Sequence, residues 1–143
     1  MTNPSHPSPR AAAIHRIVRE RGYVGELEPA GSVLFKVEGK LYRIPDDRDQ
    51  AFIRIIHQQV RTVRSEAERP LLEAAAVLAC GTTKVAKIYV TEVEVLPVVE
   101  IFCSPVDRFA AIFDRSIAVL NYIVQEFQKH LKAVEQGRPR WQQ

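Results

Sequence analysis

The feature that most constrains this fold is a long apolar stripe near the C-terminus. Its residues recur at spacings of three and four, the period of one face of an α-helix. They are Phe109, Ile112, Phe113, Ser116, Ile117, Leu120, Ile123, Val124, Phe127 and Leu131. Ser104 and Pro105 fit the N-cap and the first helical position, and Asp107 follows in the first turn. We therefore expect a helix that runs to about Val134 and covers a whole β-sheet.

A change of period to two predicts a β-hairpin earlier in the chain. Apolar side chains alternate after Ser32, at Val33, Phe35 and Val37. Glu38 and Gly39 fit a turn, and positions 41–44 supply the second strand. A third segment, from Ala51 to Val60, is ambiguous, because its apolar residues fit a helical stripe while its β-branched residues and the preceding hairpin favour a strand. We expect the strand.

Two further strands are predicted at positions 84–92 and 96–103, which are rich in valine, isoleucine and tyrosine. They are expected to form an antiparallel pair. Pro97 fits a strand beginning or an edge, because it cannot donate to a ladder of hydrogen bonds.

Two shorter helices complete the prediction. Positions 11–21 place Ile14, Ile17 and Val18 on one side and end before Gly22, a suitable C-cap. A capping-box sequence at 65–68 precedes an alanine- and leucine-rich helix at 71–80, which Gly81 is expected to end.

These elements predict an α+β fold with a five-stranded antiparallel sheet and helices packed on one face, in the order α-β-β-β-α-β-β-α. We expect a disordered N-terminal segment at 1–9, a single domain at 10–134 and a mobile tail at 135–143. A chain of 143 residues is long enough to bury its own core without disulfides or metals.

Composition limits the class of protein. Apolar residues make up 46% of the chain, but charges interrupt every run before the roughly eighteen residues that a membrane helix needs. Positions 1–10 contain three prolines and have no apolar core of a secretory signal. The formal net charge of +3 does not establish nucleic-acid binding. We expect a cytoplasmic protein without a membrane span.

Residues across most of the chain resemble one bacterial family. The resemblance lies in FKVEGKLYRI at positions 35–44, TTKVAKIYV at 82–90, and VEIF at 99–102 followed by Pro105 and Phe109. These segments are similar to the YbjN-like proteins, which resemble the chaperones of type III secretion in fold. The resemblance implies the element order above, a tendency to form homodimers, and the binding of protein segments without catalysis.

Candidate partner-binding residues lie near the two ends of the chain. The outer face of the first helix is expected to carry Arg10, Arg16, Arg19 and Arg21, opposed by Glu20. Clustered arginines gain affinity from phosphate contacts, although a solvated helix face is the simpler interpretation. Trp141 stands in the tail beside Arg138 and Arg140, a pattern typical of docking segments and of disordered termini alike.

Other reactive side chains give weak signals. His57 with Cys80 or Cys103 would make a nucleophilic pair only if the fold brought them together. Asp46, Asp47 and Asp49 lack EF-hand spacing and fit a solvated turn. Gly22, Gly25 and Gly31 lack the spacing of a phosphate-binding loop. We expect no catalytic residue, no metal and no cofactor.

The sequence thus indicates a non-catalytic protein- or peptide-binding module, chaperone-like or regulatory, that acts as a homodimer. A client peptide is expected to add as a strand along an exposed sheet edge. The alternative is a nucleic-acid-associated regulator that uses the basic N-terminal helix, for which the binding of nucleic acid would fall steeply with salt.

Overall fold

The computed structural model describes residues 6–137 and has an α+β fold with an antiparallel sheet. Its elements in chain order are α1 (Pro9–Glu20), β1 (Gly25–Leu27), β2 (Val33–Val37), β3 (Lys40–Ile44), β4 (Phe52–His57), β5 (Arg61–Thr62), α2 (Arg69–Thr82), β6 (Ala86–Val90), β7 (Glu94–Phe102), a 3-10 turn (Val106–Arg108) and α3 (Phe109–Glu135). The α+β prediction is confirmed at this level.

The number of strands is higher than the sequence predicts. Seven strands pair in the order β1-β2-β3-β4-β7-β5, and β6 also pairs with β7. The prediction of five strands, and of an α-β-β-β-α-β-β-α order, is therefore wrong. β1 was missed because its three residues, Gly-Glu-Leu, carry no apolar alternation. β5 was missed because it has only two residues.

The ambiguous third segment is a strand, as expected. In β4, Ile53, Ile55 and His57 are buried, and the residues between them are partly exposed. This alternation of period two is that of a sheet with one face against the core. The strand ends at His57, and Gln59 has a φ of 60° before the chain re-enters the sheet as β5.

The chain divides into two compact units. Among the described residues, the first comprises 6–58 and 99–116, and the second comprises 59–98 and 117–137. β7 and α3 each contribute residues to both units.

An aromatic cluster forms the core of the first unit. The Phe35 ring lies with its centroid 5.4 Å from that of Tyr42 and 5.4 Å from that of Phe113. Tyr23 and Phe109 add ring contacts to Phe113 at 5.7 and 5.3 Å. α1 packs on β1 and β2 through its buried residues, Ile14, Ile17 and Val18. Within this unit, helical residues therefore cover the sheet face that carries Phe35.

The second unit buries the remaining part of the apolar stripe. Every stripe residue from Ile117 to Leu131 is buried, so the predicted periodicity of α3 is confirmed. α2 packs against β6 and buries Leu72, Ala75 and Ala79. Leu72 and Ala79 lie seven positions apart, which is two helical turns.

The predicted N-cap of the last helix is wrong. The segment after Ser104 first forms the 3-10 turn, in which the Arg108 N–H donates to the Pro105 carbonyl at 3.0 Å. Pro105 keeps an extended backbone, so the regular α-helical ladder begins only at Phe109.

The other two helices begin in different ways. Ser8 is the N-cap of α1, and its hydroxyl accepts the Ala11 N–H at 3.0 Å. The predicted capping box at the start of α2 forms only in part. Ser65 Oγ accepts the Glu68 N–H at 3.3 Å, but the Glu68 carboxylate accepts the N–H of Arg64 at 2.8 Å. The N-cap of α2 is Glu68, which makes no side-chain capping hydrogen bond. Gly81 lies inside α2 and does not end it. Within residues 6–137, no helix has the length and apolarity that a bilayer crossing requires.

Candidate interaction surfaces

Arg10 does not lie on an outer basic face. It is only 6% exposed, and its Nη1 donates to the Phe52 carbonyl at 2.6 Å. Arg10, Ile14 and Ile17 follow each other at helical spacing, so all three share the buried side of α1. The prediction that Arg10 is a surface residue is wrong, and the same spacing in the sequence could have revealed it.

Arg16 of α1 and Arg21, the C-cap residue of α1, are each paired with carboxylates. Arg16 lies 3.7 Å from Glu20 and 3.6 Å from Asp107. Arg21 lies 3.3 Å from Asp114 and donates to the Ala110 carbonyl. Arg19 is exposed and makes no ion pair within residues 6–137. The carboxylates that pair with Arg16 and Arg21 offset part of the positive charge near α1. Nucleic-acid binding through these arginines stays a prediction. Trp141, Arg138 and Arg140 lie outside the described residues.

The aspartates of the β3–β4 loop hold backbone in place. Asp46 accepts the Ser8 N–H at 3.1 Å and the Ser8 hydroxyl at 2.8 Å, which ties this loop to the start of α1. Asp47 and Asp49 each accept the N–H two residues on, from Asp49 and Ala51. No His, Cys, Asp or Glu cluster suited to a metal ion occurs within residues 6–137.

His57 and the two cysteines have separate contacts. His57 Nδ1 lies 3.1 Å from the Gln58 carbonyl, and its ring packs 4.7 Å from Tyr42. Cys80 Sγ accepts the Ile88 N–H at 3.3 Å. Cys103 is buried, and this burial raises the pKa of its thiol, although Arg108 and Arg10 act in the opposite direction. A raised thiol pKa disfavours the thiolate that a nucleophile requires.

Because His57 is buried, its protonation makes the free energy of unfolding depend on pH. Loss of solvent lowers its pKa below the ordinary value of 6.5, more than the Gln58 carbonyl raises it. The unfolded chain therefore binds this proton more readily, and stability is lost as the pH falls from about 6.5 toward the folded pKa. We expect urea-unfolding measurements to show this loss in the wild type and a flatter profile for His57→Phe. Equal pH slopes for the two proteins would contradict the assignment.

The first unit has a second sheet face, which we call the open sheet face. Its side chains point away from the aromatic cluster and comprise Glu26, Leu34, Lys36, Leu41, Arg43, Phe52, Arg54, Ile56, Glu100 and Phe102. Phe102 is 82% exposed, and its ring meets that of Phe52 edge-on at 5.9 Å. A shallow groove of about 240 Å³ lies beside Leu34 and Leu41, with Val24 on its rim.

Charges interrupt the open sheet face. Arg54 lies 3.9 Å from Glu100 and 5.8 Å from the centroid of the Phe52 ring. Arg43 donates to the Ser32 hydroxyl at 3.0 Å, which fixes the direction of its guanidinium. Lys36 is exposed. The face thus combines aliphatic and aromatic area with positioned cations.

The second unit carries another apolar surface, which we call the α2 groove. It runs between α2 and β6, has a volume of about 320 Å³, and is lined by Glu73, Ala76, Val77, Cys80, Ile88 and Val90. Val77 is 66% exposed. Between Pro70 and Thr82, Glu73 is the one charged residue of α2. An exposed helix side with so little charge is atypical of a solvated surface.

Sequence reasoning missed both surfaces, but each left a signal. In β2, β3 and β4, apolar residues occupy both alternating sets, as Leu34, Leu41 and Ile56 show. A strand with one solvated face normally alternates apolar with polar residues. In α2, the signal is the near absence of charge over three turns.

No protein-family model matches the chain, and no curated protein sequence matches it.

Proposed function

We propose that this protein is a non-catalytic protein-binding module that acts as a homodimer. The observation that carries the proposal is the α2 groove, an exposed apolar surface beside an edge strand. Apolar patches of this kind on small proteins are typical of interaction sites. We assign the groove and the outer side of α2 to contact with a second copy of the chain.

We also propose that the chain is YbjN-like, with a fold similar to type III secretion chaperones and a cytoplasmic location. When the short strands β1 and β5 are set aside, the remaining elements follow the order that this resemblance implies. That agreement supports the proposal through element order alone, since fold does not determine function.

The shape of α2 favours close contact with another helix. Its outer side carries Ala74 and Gly81 on either side of Val77. Small residues let helix axes approach toward the short end of the usual 8–10 Å range. In an isologous contact, Val77 of each copy would enter the α2 groove of the other.

Edge-strand chemistry supports the same surface. Among the described strands, β6 pairs only with β7, so its other edge faces the α2 groove. The Ile88 N–H on that edge is held by the Cys80 thiol, a weak acceptor. A second copy seated in the groove would cover this edge, which otherwise invites uncontrolled strand pairing.

The charges on this surface are self-complementary. Glu73 stands near the first turn of α2 and Lys84 just beyond its last turn, and neither makes an ion pair within residues 6–137. A two-fold axis near Val77 would bring Glu73 of one copy toward the partner's Lys84. The antiparallel alignment of the two α2 helices would also oppose their dipoles favourably.

A charge placed at the centre of this surface tests the dimer. We expect wild-type protein to be dimeric by multi-angle light scattering and Val77→Glu to weaken dimerisation by about 100-fold or more, because each copy would bury an unpaired carboxylate. Val93→Glu is the matched control, since Val93 is 65% exposed and lies outside the groove. A strictly monomeric wild type, or equal effects of the two variants, would contradict the proposal.

Charge reversal gives a second test, in which association is restored by mixing two variants. An unfolded variant could not produce this result. Glu73→Lys and Lys84→Glu should each weaken dimerisation by about tenfold, because two rim ion pairs are lost and like charges meet. Mixing the two single variants should restore association as a heterodimer, because each copy then supplies the charge that the other lacks. Failure of the mixture to associate better than either variant alone would count against the assigned geometry.

A further inference from the structure

We propose that the open sheet face docks an amphipathic α-helix of a client protein, whose apolar stripe is flanked by carboxylates. The inference rests on the proposed function as a binding module, and it names the surface and the chemistry of the client. It concerns the first unit alone, whereas the dimer contact is assigned to the second.

The strand register creates a crossed pattern of apolar and basic side chains. Leu34 of β2 pairs with Arg43 of β3, and Lys36 pairs with Leu41. The two leucines therefore lie on one diagonal and the two cations on the other. Ile56 pairs with Arg43 from the opposite side. It therefore lies on β4 in the same cross-strand row as Leu34 and is a diagonal neighbour of Leu41. Diagonal neighbours on a sheet face lie about 7–8 Å apart, so one ligand can contact both sets.

Aromatic area continues this surface toward the end of β7. Phe102 is 82% exposed, and Phe52 supports its ring from the adjacent strand. An exposed phenylalanine backed by a second ring offers a large contact area with little loss of side-chain freedom. Such a side chain is typical of an anchor at a protein interface.

The charge of the face selects an acidic ligand. Glu100 compensates Arg54 at 3.9 Å, whereas Lys36 and Arg43 make no ion pair within residues 6–137. Arg43 is also oriented in advance by Ser32, which lowers the entropy lost when it binds a carboxylate. Carboxylates beside an apolar stripe would reach both cations while the stripe lies on the leucines.

A helix fits this face better than a strand does. The face offers side chains, and the backbone groups that an added strand requires are found only at an edge. In the same unit, the other sheet face is already covered by helical residues, including Phe113 against Phe35. A client helix would therefore repeat on one side the packing that the chain uses on the other.

Single-stranded nucleic acid is the competing ligand for a sheet face with aromatic and basic residues. The geometry of the aromatic and aliphatic side chains on the open sheet face disfavours it. The Phe52 and Phe102 rings pack edge-on against each other and leave no parallel platform for successive bases. Leu34 and Leu41 cannot stack on bases.

The test selects peptides from a phage-displayed library of helices with a fixed leucine stripe and randomised flanking positions. Wild-type protein should enrich sequences with aspartate and glutamate beside the stripe. The enriched peptides, made synthetically, should bind Lys36→Glu and Phe102→Ser about tenfold more weakly by fluorescence anisotropy. Lys132→Glu and Val93→Ser, which change exposed residues outside the face, should leave binding unchanged.

Several outcomes would overturn this inference. They are the absence of any enriched peptide, enriched sequences with basic or neutral flanks, and binding that survives both substitutions in the face. Binding of a labelled oligothymidylate that Lys36→Glu and Phe102→Ser abolish would also overturn it, because the face would then belong to nucleic acid. The dimer mass of both variants should equal that of the wild type. Failure of peptide selection with an intact dimer therefore rejects this inference alone.

Discussion

Replacement of Phe113 by alanine is expected to lower the free energy of unfolding by about 3–5 kcal/mol. Its ring is fully buried and contacts those of Tyr23, Phe35 and Phe109, with centroids 5.3–5.7 Å away. Removal of the ring deletes its apolar contacts and leaves a cavity between α3 and β2 that rigid neighbours cannot fill. It also removes the edge-on contact with Phe109, which adds to the loss.

Urea unfolding followed by circular dichroism measures this effect directly. Phe102→Ala is the matched control, because it deletes the same side chain where it is 82% exposed. We expect the control to change the free energy of unfolding by less than about 1 kcal/mol. If both substitutions cost the same, the aromatic cluster would not be the core of the first unit.

Gly31→Ala should cost about 2–4 kcal/mol of unfolding free energy, far more than a surface substitution in a loop. Gly31 has a φ of +100°, and a Cβ there would lie 2.5 Å from Asp46 Oδ2 and 2.7 Å from Asp46 Cβ. Asp46 could move away only by giving up its hydrogen bonds to Ser8, the N-cap residue of α1. The substitution therefore adds backbone strain, a steric clash and damage to a helix start.

Gly39→Ala separates these contributions. Gly39 also has a positive φ, +80°, but nothing lies within 4 Å of the position where its Cβ would stand. It should cost only the strain of a left-handed alanine, about 1 kcal/mol. Comparison of the two variants by urea unfolding isolates the crowding at Asp46. Similar costs would mean that the Asp46 side chain relaxes without loss to α1.

Local periodicity predicted the parts of this fold that depend on burial. The prediction of α3 from its apolar stripe is confirmed, because Phe113, Leu120 and Phe127 must be buried whichever elements pack against them. β4 was identified for the same reason, since Ile53 and Ile55 alternate with partly exposed residues. These elements carry their own signal because each buries one continuous set of side chains.

The remaining parts depend on contacts that are remote in sequence. β1 forms because Gly25 and Leu27 find Phe35 and Val33 in β2, and its own three residues give no pattern. Arg10 was misplaced because its acceptor, the Phe52 carbonyl, lies 42 positions away. The charge of Arg10 suggested an exposed side chain, whereas its helical spacing to Ile14 and Ile17 correctly indicated a buried one.

The interaction surfaces were harder to predict for a different reason. The open sheet face becomes visible only when register brings Leu34, Leu41 and Ile56 together with Arg43. The α2 groove requires β6 to lie beside α2, which neither segment specifies alone. Of the residues first selected for partner binding, Arg10 is buried, and Arg16 and Arg21 are engaged by carboxylates.

The buried position of Arg10 has a consequence for how α1 finds its place. Apolar side chains at Ile14, Ile17 and Val18 would allow the helix to slide along its groove by one turn with little change in buried area. A guanidinium that must meet the Phe52 carbonyl allows only one of those placements. Burial of the Arg10 cation costs some stability, but its hydrogen bond allows α1 only one position along the groove. Apolar side chains alone would allow several positions of similar energy.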